Sequence, residues 1–228
     1  MRLSHLARSR ALLSLGVLLI LPAVGFATAT YPCRIPADLH RLEYDIHWMG
    51  GRVGELVIAF ERFGEDTRVR NYIDVDARIF AHSLFRFRHA SEEHWHKDTL
   101  VGFSGETVDN GRHRVVKVTL GKTTFHVDGK GGPYEVSRQT PLLSAWCETS
   151  IWGPQVIEPT KGRIKAVTAQ LISGNELRMP SGRVPQAKRL RLDGELQAEI
   201  WYDPRGLMIF ARFPVKGGTT GTIELRVP

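Results

Sequence analysis

The chain has 228 residues, of which 42% are hydrophobic and 24% charged, with a formal net charge of +7. That length supplies one domain once an N-terminal leader is removed. The leader carries three arginines and no acidic residue, so its removal lowers the charge from +7 to +4. The remaining basic residues alternate with acidic and apolar ones, without an arginine-rich arm or a nucleic-acid motif. The composition therefore gives no indication of a nucleic-acid partner.

Residues 1–29 have the three parts of a secretory signal peptide. Three arginines form a basic start, residues 11–21 form an uncharged apolar run, and residues 27–29 are the small Ala-Thr-Ala that a signal peptidase needs. The apolar run is too short to span a hydrocarbon core of roughly 30 Å. We therefore expect a mature chain of residues 30–228 that is a single domain, is periplasmic or secreted, and has no transmembrane segment.

Two cysteines, Cys33 and Cys147, remain in the mature chain. An exported protein with an even cysteine count favours a disulfide, because oxidising compartments preserve such bonds. The bridge would tie the mature N-terminus to the middle of the chain. Two buried free thiols are the alternative.

From residue 41 onward, apolar and polar residues alternate with period two, and turn signals recur about every ten residues. This pattern is typical of an antiparallel β-domain. Residues 110–111, Asn-Gly, mark a tight hairpin because both readily adopt positive φ. The predicted strands cover residues 42–48, 56–60, 69–79, 84–96, 100–108, 113–120, 123–128, 163–172, 187–192, 199–202, 207–213 and 222–227.

The period changes in one place, residues 141–151, where we predict the one helix that follows the signal peptide. Thr140 can cap it, and Pro141 suits its first turn. Residues 153–162 are predicted to be a loop. The apolar stripe of the helix would consist of Leu142, Leu143, Trp146 and Ile151.

A sheet of about a dozen strands must curl or split so that its apolar face is covered. The predicted fold class is therefore mainly β: a large, curved antiparallel sheet or half-open β-barrel, with one helix covering the concave side.

Four segments carry a resemblance to known families. WYDPRGLMIFARF, residues 201–213, resembles periplasmic half-barrels similar to the lipoprotein carrier LolA. Residues 42–62, LEYDIHWMGGRVGELVIAFER, resemble more closely a group of uncharacterised exported proteins of Gram-negative bacteria, classified as a domain of unknown function. FRFRHASEEHW at 85–95 and DNGRHRV at 109–115 resemble the same group. The likeness covers most of residues 40–213 and implies a fold, without implying a known activity.

Aromatic residues on the alternating faces suggest a broad apolar surface inside the half-barrel. The leading hypothesis is a non-catalytic protein without a cofactor, which binds or carries an apolar or amphipathic, lipid-like ligand. Arg86 and Arg88 would contact an anionic headgroup of that ligand. For the aromatic rings, the alternative is ordinary packing in the core. The predicted ligand-binding residues are Tyr44, Trp48, Phe60, Phe85, Phe87, Trp95, Trp201, Arg86 and Arg88.

Two other functions remain open. Glu92, His94 and His96 would share one face of a strand, as ligands of a catalytic or structural zinc ion do. The resemblance implies an acid and a tryptophan where Glu93 and Trp95 stand, whereas the two histidines match no family pattern. The third hypothesis is an envelope scaffold that binds a protein partner through a sheet edge or the convex face.

Overall fold

The computed structural model describes residues 32–79, 82–172, 177–179, 182–184, 186–215 and 217–226. The predicted signal peptide lies outside these ranges. The described residues form strands β1 (Arg41–Trp48), β2 (Gly51–Phe63), β3 (Asp66–Ile79), β4 (His82–His96), β5 (Thr99–Asp109), β6 (Arg112–Leu120), β7 (Thr124–Asp128), β8 (Tyr134–Ser137), β9 (Gln155–Glu158), β10 (Arg163–Ile172), β11 (Leu177–Met179), β12 (Gly182–Val184), β13 (Lys188–Gly194), β14 (Ala198–Tyr202), β15 (Met208–Val215) and β16 (Thr219–Leu225).

Fourteen of these strands form one antiparallel sheet, in the order β8-β7-β6-β5-β4-β3-β2-β1-β16-β15-β14-β13-β10-β9. Strands β11 and β12 form a separate hairpin. The sheet curls until its two edges approach each other: the Tyr134 hydroxyl donates to the Gly162 carbonyl over 2.9 Å, and the Lys130 amide donates to the Lys161 carbonyl over 2.7 Å. The predicted large, curved antiparallel sheet is confirmed.

Period-two alternation directs one face of each strand into the core. In β2, for example, Leu56, Ile58 and Phe60 are buried, whereas the residues between them are half-buried. Tyr44 of β1 is fully buried, and its hydroxyl donates to the Met208 carbonyl over 2.8 Å. That bond joins two strands separated by β16 in the sheet, so the interior of the curl is packed with side chains at this point.

The predicted helix over residues 141–151 is wrong. Within this stretch, only Glu148–Ile151 is helical, as a single turn of 3-10 helix. Residues 141–143 pair with β9, since the Leu143 amide donates to the Ile157 carbonyl over 3.0 Å and the Ile157 amide to the Pro141 carbonyl over 2.8 Å. Ala145 and Trp146 then form a turn, and Cys147 forms an isolated bridge with Leu207. We call residues 140–151 the cover segment, because it lies across one end of the concave face. No helix among the described residues is long and apolar enough to cross a membrane.

The burial pattern of the cover segment explains why the helix prediction is wrong. Thr140, Leu142, Ser144 and Trp146 are buried, and the residues between them are half-buried, so the true period is two. Two of the four inward positions are polar, which hides the alternation. The predicted loop at residues 153–162 is also partly wrong, because β9 occupies four of these residues. Three consecutive residues of β9 are buried, so the strand lacks the alternation of buried and exposed positions that would have predicted it.

A disulfide joins Cys33 to Cys147, with their Cα atoms 6.0 Å apart and a sequence separation of 114. The predicted pairing is confirmed. The bond fastens the cover segment to the chain that precedes β1. A second connection lies beside it, because the Thr149 hydroxyl donates to the Pro32 carbonyl over 2.8 Å.

Candidate functional site

A pocket of about 430 Å³ opens at the covered end of the sheet. Apolar side chains at its base come from four elements, and hydroxyl, amide and charged groups surround its opening. We call it the Trp95 pocket. Its lining residues are Pro32, Trp95, Asp98, Thr99, Leu100, Lys122, Thr123, Phe125, Ser137, Arg138, Gln139, Thr140, Pro141, Leu142 and Ser150.

Antiparallel pairing brings these distant residues together. The β4–β5 and β6–β7 turns lie at the same end of the sheet, because each pair of strands reverses direction there. The chain then turns at Ser137, whose carbonyl accepts from the Thr140 amide over 2.9 Å and whose hydroxyl accepts from the Gln139 amide over 3.1 Å. This turn directs the cover segment across the end of the sheet and completes the pocket wall.

Trp95 is held firmly in the base of the pocket. Only 4% of the residue is exposed, and its indole Nε1–H donates to Glu93 Oε2 over 2.8 Å. Its ring packs edge-on against Trp146 with centroids 6.0 Å apart, and Trp146 packs edge-on against Phe60 at 5.2 Å. Edge-to-face rings at these separations attract each other beyond their burial. The pocket floor is therefore a fixed surface.

Glu93 holds the Trp95 and Trp146 rings in place by accepting hydrogen bonds. It is 2% exposed, and its Oε1 accepts from Asn71 Nδ2 over 3.0 Å and from Ser144 Oγ over 2.9 Å, with the Trp146 indole at 3.4 Å. Burial raises the pKa of Glu93, and these hydrogen bonds, with that from Trp95, offset part of the rise. Since the donors come from β3, β4 and the cover segment, one carboxyl group joins the sheet to its cover.

A second buried titratable group lies on the same strand face. His89 is 3% exposed, and its Nδ1 lies 2.9 Å from Thr107 Oγ1. Burial lowers the pKa of His89 to about 4, against a weaker opposing hydrogen bond to the Glu106 backbone. The imidazole is therefore neutral near pH 7.

Two cations at the pocket opening, Lys122 and Arg138, differ from the charged side chains of the convex face, which form ion pairs. Arg138 Nη1 donates to the Lys122 carbonyl over 3.3 Å, so the Arg138 guanidinium lies against the turn that carries Lys122. Within the described part of the chain, neither cation has a carboxylate within 4.0 Å. Asp98, in the β4–β5 turn, is the one carboxylate in the pocket lining.

The structure places only Trp95, of the nine predicted ligand-binding residues, in this pocket. Tyr44 and Phe60 are buried in the main core. Phe85 and Phe87 lie on the same strand face as Trp95 but toward the opposite end, where their rings stack with centroids 6.1 Å apart.

The other four predicted residues lie elsewhere. Trp48 is half-buried, and its indole donates to Thr219 Oγ1 over 2.8 Å. Trp201 belongs to a small separate cluster with Ala187 and Ile209. Arg86 and Arg88 are exposed on the convex face of β4, where Arg88 Nε lies 3.3 Å from Asp74 Oδ1.

The three residues of the metal hypothesis share the exposed face of β4. Glu92 is engaged by Arg68 at 3.3 Å, Arg70 at 3.1 Å and His94 at 2.9 Å, whereas His96 Nδ1 lies 2.8 Å from an Asp66 oxygen. In the ranges that the structure covers, no three His, Cys, Asp or Glu side chains are arranged to hold a metal ion. The structure thus offers no ligand set for that hypothesis.

Several pocket residues escaped the sequence reasoning. Leu142 was predicted to lie in a helix and Phe125 in a strand, whereas Lys122 and Arg138 lie outside the predicted elements. No local motif marks them, because each comes from a different element. The one usable signal is the resemblance that singles out Glu93 and Trp95, which form the centre of the site.

A family model described as a domain of unknown function, DUF6134, matches residues 44–226. The chain belongs to this family. A solved structure, a beta-barrel-like protein of another domain of unknown function, DUF1849, from Brucella abortus, is similar to this chain with a TM-score of 0.58 and 11% sequence identity. The similarity covers 86% of this chain and 97% of that one, and it shows a shared fold. No curated protein matches the chain.

Proposed function

We propose that this DUF6134 protein binds the apolar part of an amphipathic, lipid-like molecule in the Trp95 pocket, without catalysing a reaction. The observation that carries the proposal is the pocket itself: about 430 Å³, with Trp95, Leu100, Phe125 and Leu142 among its lining residues. Small-molecule sites are concave, largely apolar and in the range of about 300–1,000 Å³. The pocket lies toward the small end of that range, which suits a single chain.

The chemistry of the lining supports binding rather than catalysis. It contains hydroxyl groups but neither histidine nor cysteine. The buried carboxyl group beneath it, Glu93, is occupied by four donors. A nucleophile needs an adjacent base within hydrogen-bond reach, and the lining offers no such pair.

Export to an oxidising compartment belongs to the same proposal. Residues 1–29 have the pattern of a signal peptide. The Cys33–Cys147 disulfide agrees with an extracytoplasmic location, because such bonds persist there and are rare in the cytosol.

Native mass spectrometry of the untagged protein, exported to a bacterial periplasm, tests the binding proposal. We expect a population heavier than the mature chain by the mass of one lipid. Thr123→Trp, at the exposed pocket rim, should remove this adduct by obstructing the opening, whereas Thr119→Trp, exposed on neighbouring β6, should retain it. An adduct that survives Thr123→Trp would refute the assignment to this pocket.

A further inference from the structure

The rim of the Trp95 pocket combines two cations with one carboxylate. Lys122 extends from the β6–β7 turn and Arg138 from the turn after β8, and the hydrogen bond from Arg138 Nη1 to the Lys122 carbonyl links those turns. Asp98 lies in the β4–β5 turn, on the other side of β5 and β6. The pair Lys122 and Arg138 therefore forms a local positive region at one side of the opening.

These cations differ from many others on the sheet. Arg226 contacts Glu43, Asp45 and Glu55 at 2.8–2.9 Å. Arg189, likewise, lies 2.9 Å from Glu199. Among the residues that the structure describes, Lys122 and Arg138 have no such carboxylate partner. Their charge is available to a ligand.

Uncharged polar groups also line the pocket. Thr140 is 8% exposed and lines the pocket, and its hydroxyl has no hydrogen-bond partner among the described residues. Thr123, also in the lining, lies next to Lys122 in sequence. A headgroup oxygen bound by the cations would have these hydroxyls as further donors.

We infer that the ligand is a single-chain amphiphile with an anionic headgroup, a carboxylate or a phosphate, bound by Lys122 and Arg138. Its chain extends over Trp95, Phe125 and Leu142. This inference rests on the proposed function and adds the chemical class of the headgroup. Asp98 repels a second anionic group at the far side of the opening, which favours one headgroup with one point of attachment.

Isothermal titration calorimetry with matched twelve-carbon amphiphiles provides the test. The probes are dodecanoate, dodecyl phosphate, neutral monododecanoylglycerol and dodecyltrimethylammonium. We expect the two anionic probes to bind about tenfold to a hundredfold more tightly than the neutral one, as charge-assisted hydrogen bonds imply. The stronger of the two anionic probes identifies carboxylate or phosphate as the preferred group.

The variant Lys122→Ala/Arg138→Ala should abolish this preference, so that the anionic and the neutral probes bind to it with equal affinity. Arg86→Ala/Arg88→Ala is the matched control, because it removes two exposed arginines from the convex face. Equal affinity for the anionic and neutral probes would overturn the inference while the proposed function stands. Tighter binding of the ammonium probe would also overturn it, and no binding of any probe would refute the proposed function itself.

Discussion

The buried side chain of His89 makes the free energy of unfolding depend on pH. The side chain lies on the inner face of β4, is 3% exposed and contacts Thr107. Burial lowers its pKa from 6.5 to about 4. Between these values the unfolded chain binds a proton that the folded chain does not, so acidification favours unfolding.

The magnitude follows from the size of the shift. A fall from 6.5 to about 4, at about 1.4 kcal/mol per pH unit, corresponds to roughly 3 kcal/mol. This contribution is complete above pH 6.5 and is lost progressively as the pH falls from 6.5 toward 4.

Urea unfolding of wild type and His89→Gln, monitored by tryptophan fluorescence, measures this effect. Glutamine keeps hydrogen-bonding capacity without titrating in this range. We expect the wild type to lose roughly 3 kcal/mol relative to the variant between about pH 7 and about pH 4. A difference between the two proteins that stays constant with pH would refute the reasoning, since His89 would then titrate equally in the folded and unfolded chains.

Glu93 should change the free energy of unfolding with pH in the opposite direction to His89. Because burial raises its folded-state pKa above the ordinary 4.5, the folded chain binds a proton more readily than the unfolded chain. This contribution is complete below 4.5 and is lost as the pH rises through the raised pKa. In the same assay, the wild type should therefore gain stability relative to Glu93→Gln on acidification, whereas it loses stability relative to His89→Gln. Curves that diverge in the same direction would contradict one of the two assignments.

Two further predictions concern stability. Gly54→Ala should cost about 3 kcal/mol or more, because the new Cβ would lie 2.1 Å from the Asp74 carbonyl oxygen and β2 would have to separate from β3. Gly51→Ala, with its nearest contact at 3.9 Å, should change stability by less than about 0.5 kcal/mol in the same urea assay; equal effects would refute this explanation. Replacement of both Cys33 and Cys147 by serine should lower the free energy of unfolding by about 2–5 kcal/mol, and an unchanged thermal midpoint would contradict a structural role for the bond.

Much of the sheet could be predicted because its strands alternate and its turns have clear signals. The predicted strand at 163–172 has the bounds of β10, and Asn110 and Gly111 adopt the positive φ values of 48° and 81° expected of a tight hairpin. In these segments, local sequence and tertiary environment agree. Such agreement makes a periodic pattern a reliable guide.

Prediction failed where the buried positions carry polar residues. Ser144 faces inward because its hydroxyl donates to Glu93, so the cover segment does not look like a strand. Trp201 and Tyr202 are both buried beside a register shift between β14 and β15, which defeats a face assignment made from alternation alone. These features depend on partners far away in sequence.

The Trp95 pocket was beyond local sequence reasoning for a similar reason. Its lining comes from the ends of β4, β5, β7 and β8 and the turns beside them, from the start of the described chain and from the cover segment. None of these segments carries a local motif, and only the antiparallel register of the strands brings them together. The resemblance to a family pattern at Glu93 and Trp95 identified the centre of the site but not its walls.

Two-dimensional ¹H–¹⁵N NMR of the tryptophan indole groups, during titration with dodecanoate, tests the central claim most directly. The sequence has five tryptophans, and Trp95→Phe assigns the indole resonance of interest. Ligand in the Trp95 pocket should shift the Trp95 indole signal, whereas the Trp201 signal should remain in place because that ring belongs to a separate cluster. A Trp95 signal that stays fixed while the signal of Trp201 or Trp48 moves would contradict the account and locate the ligand elsewhere on the sheet.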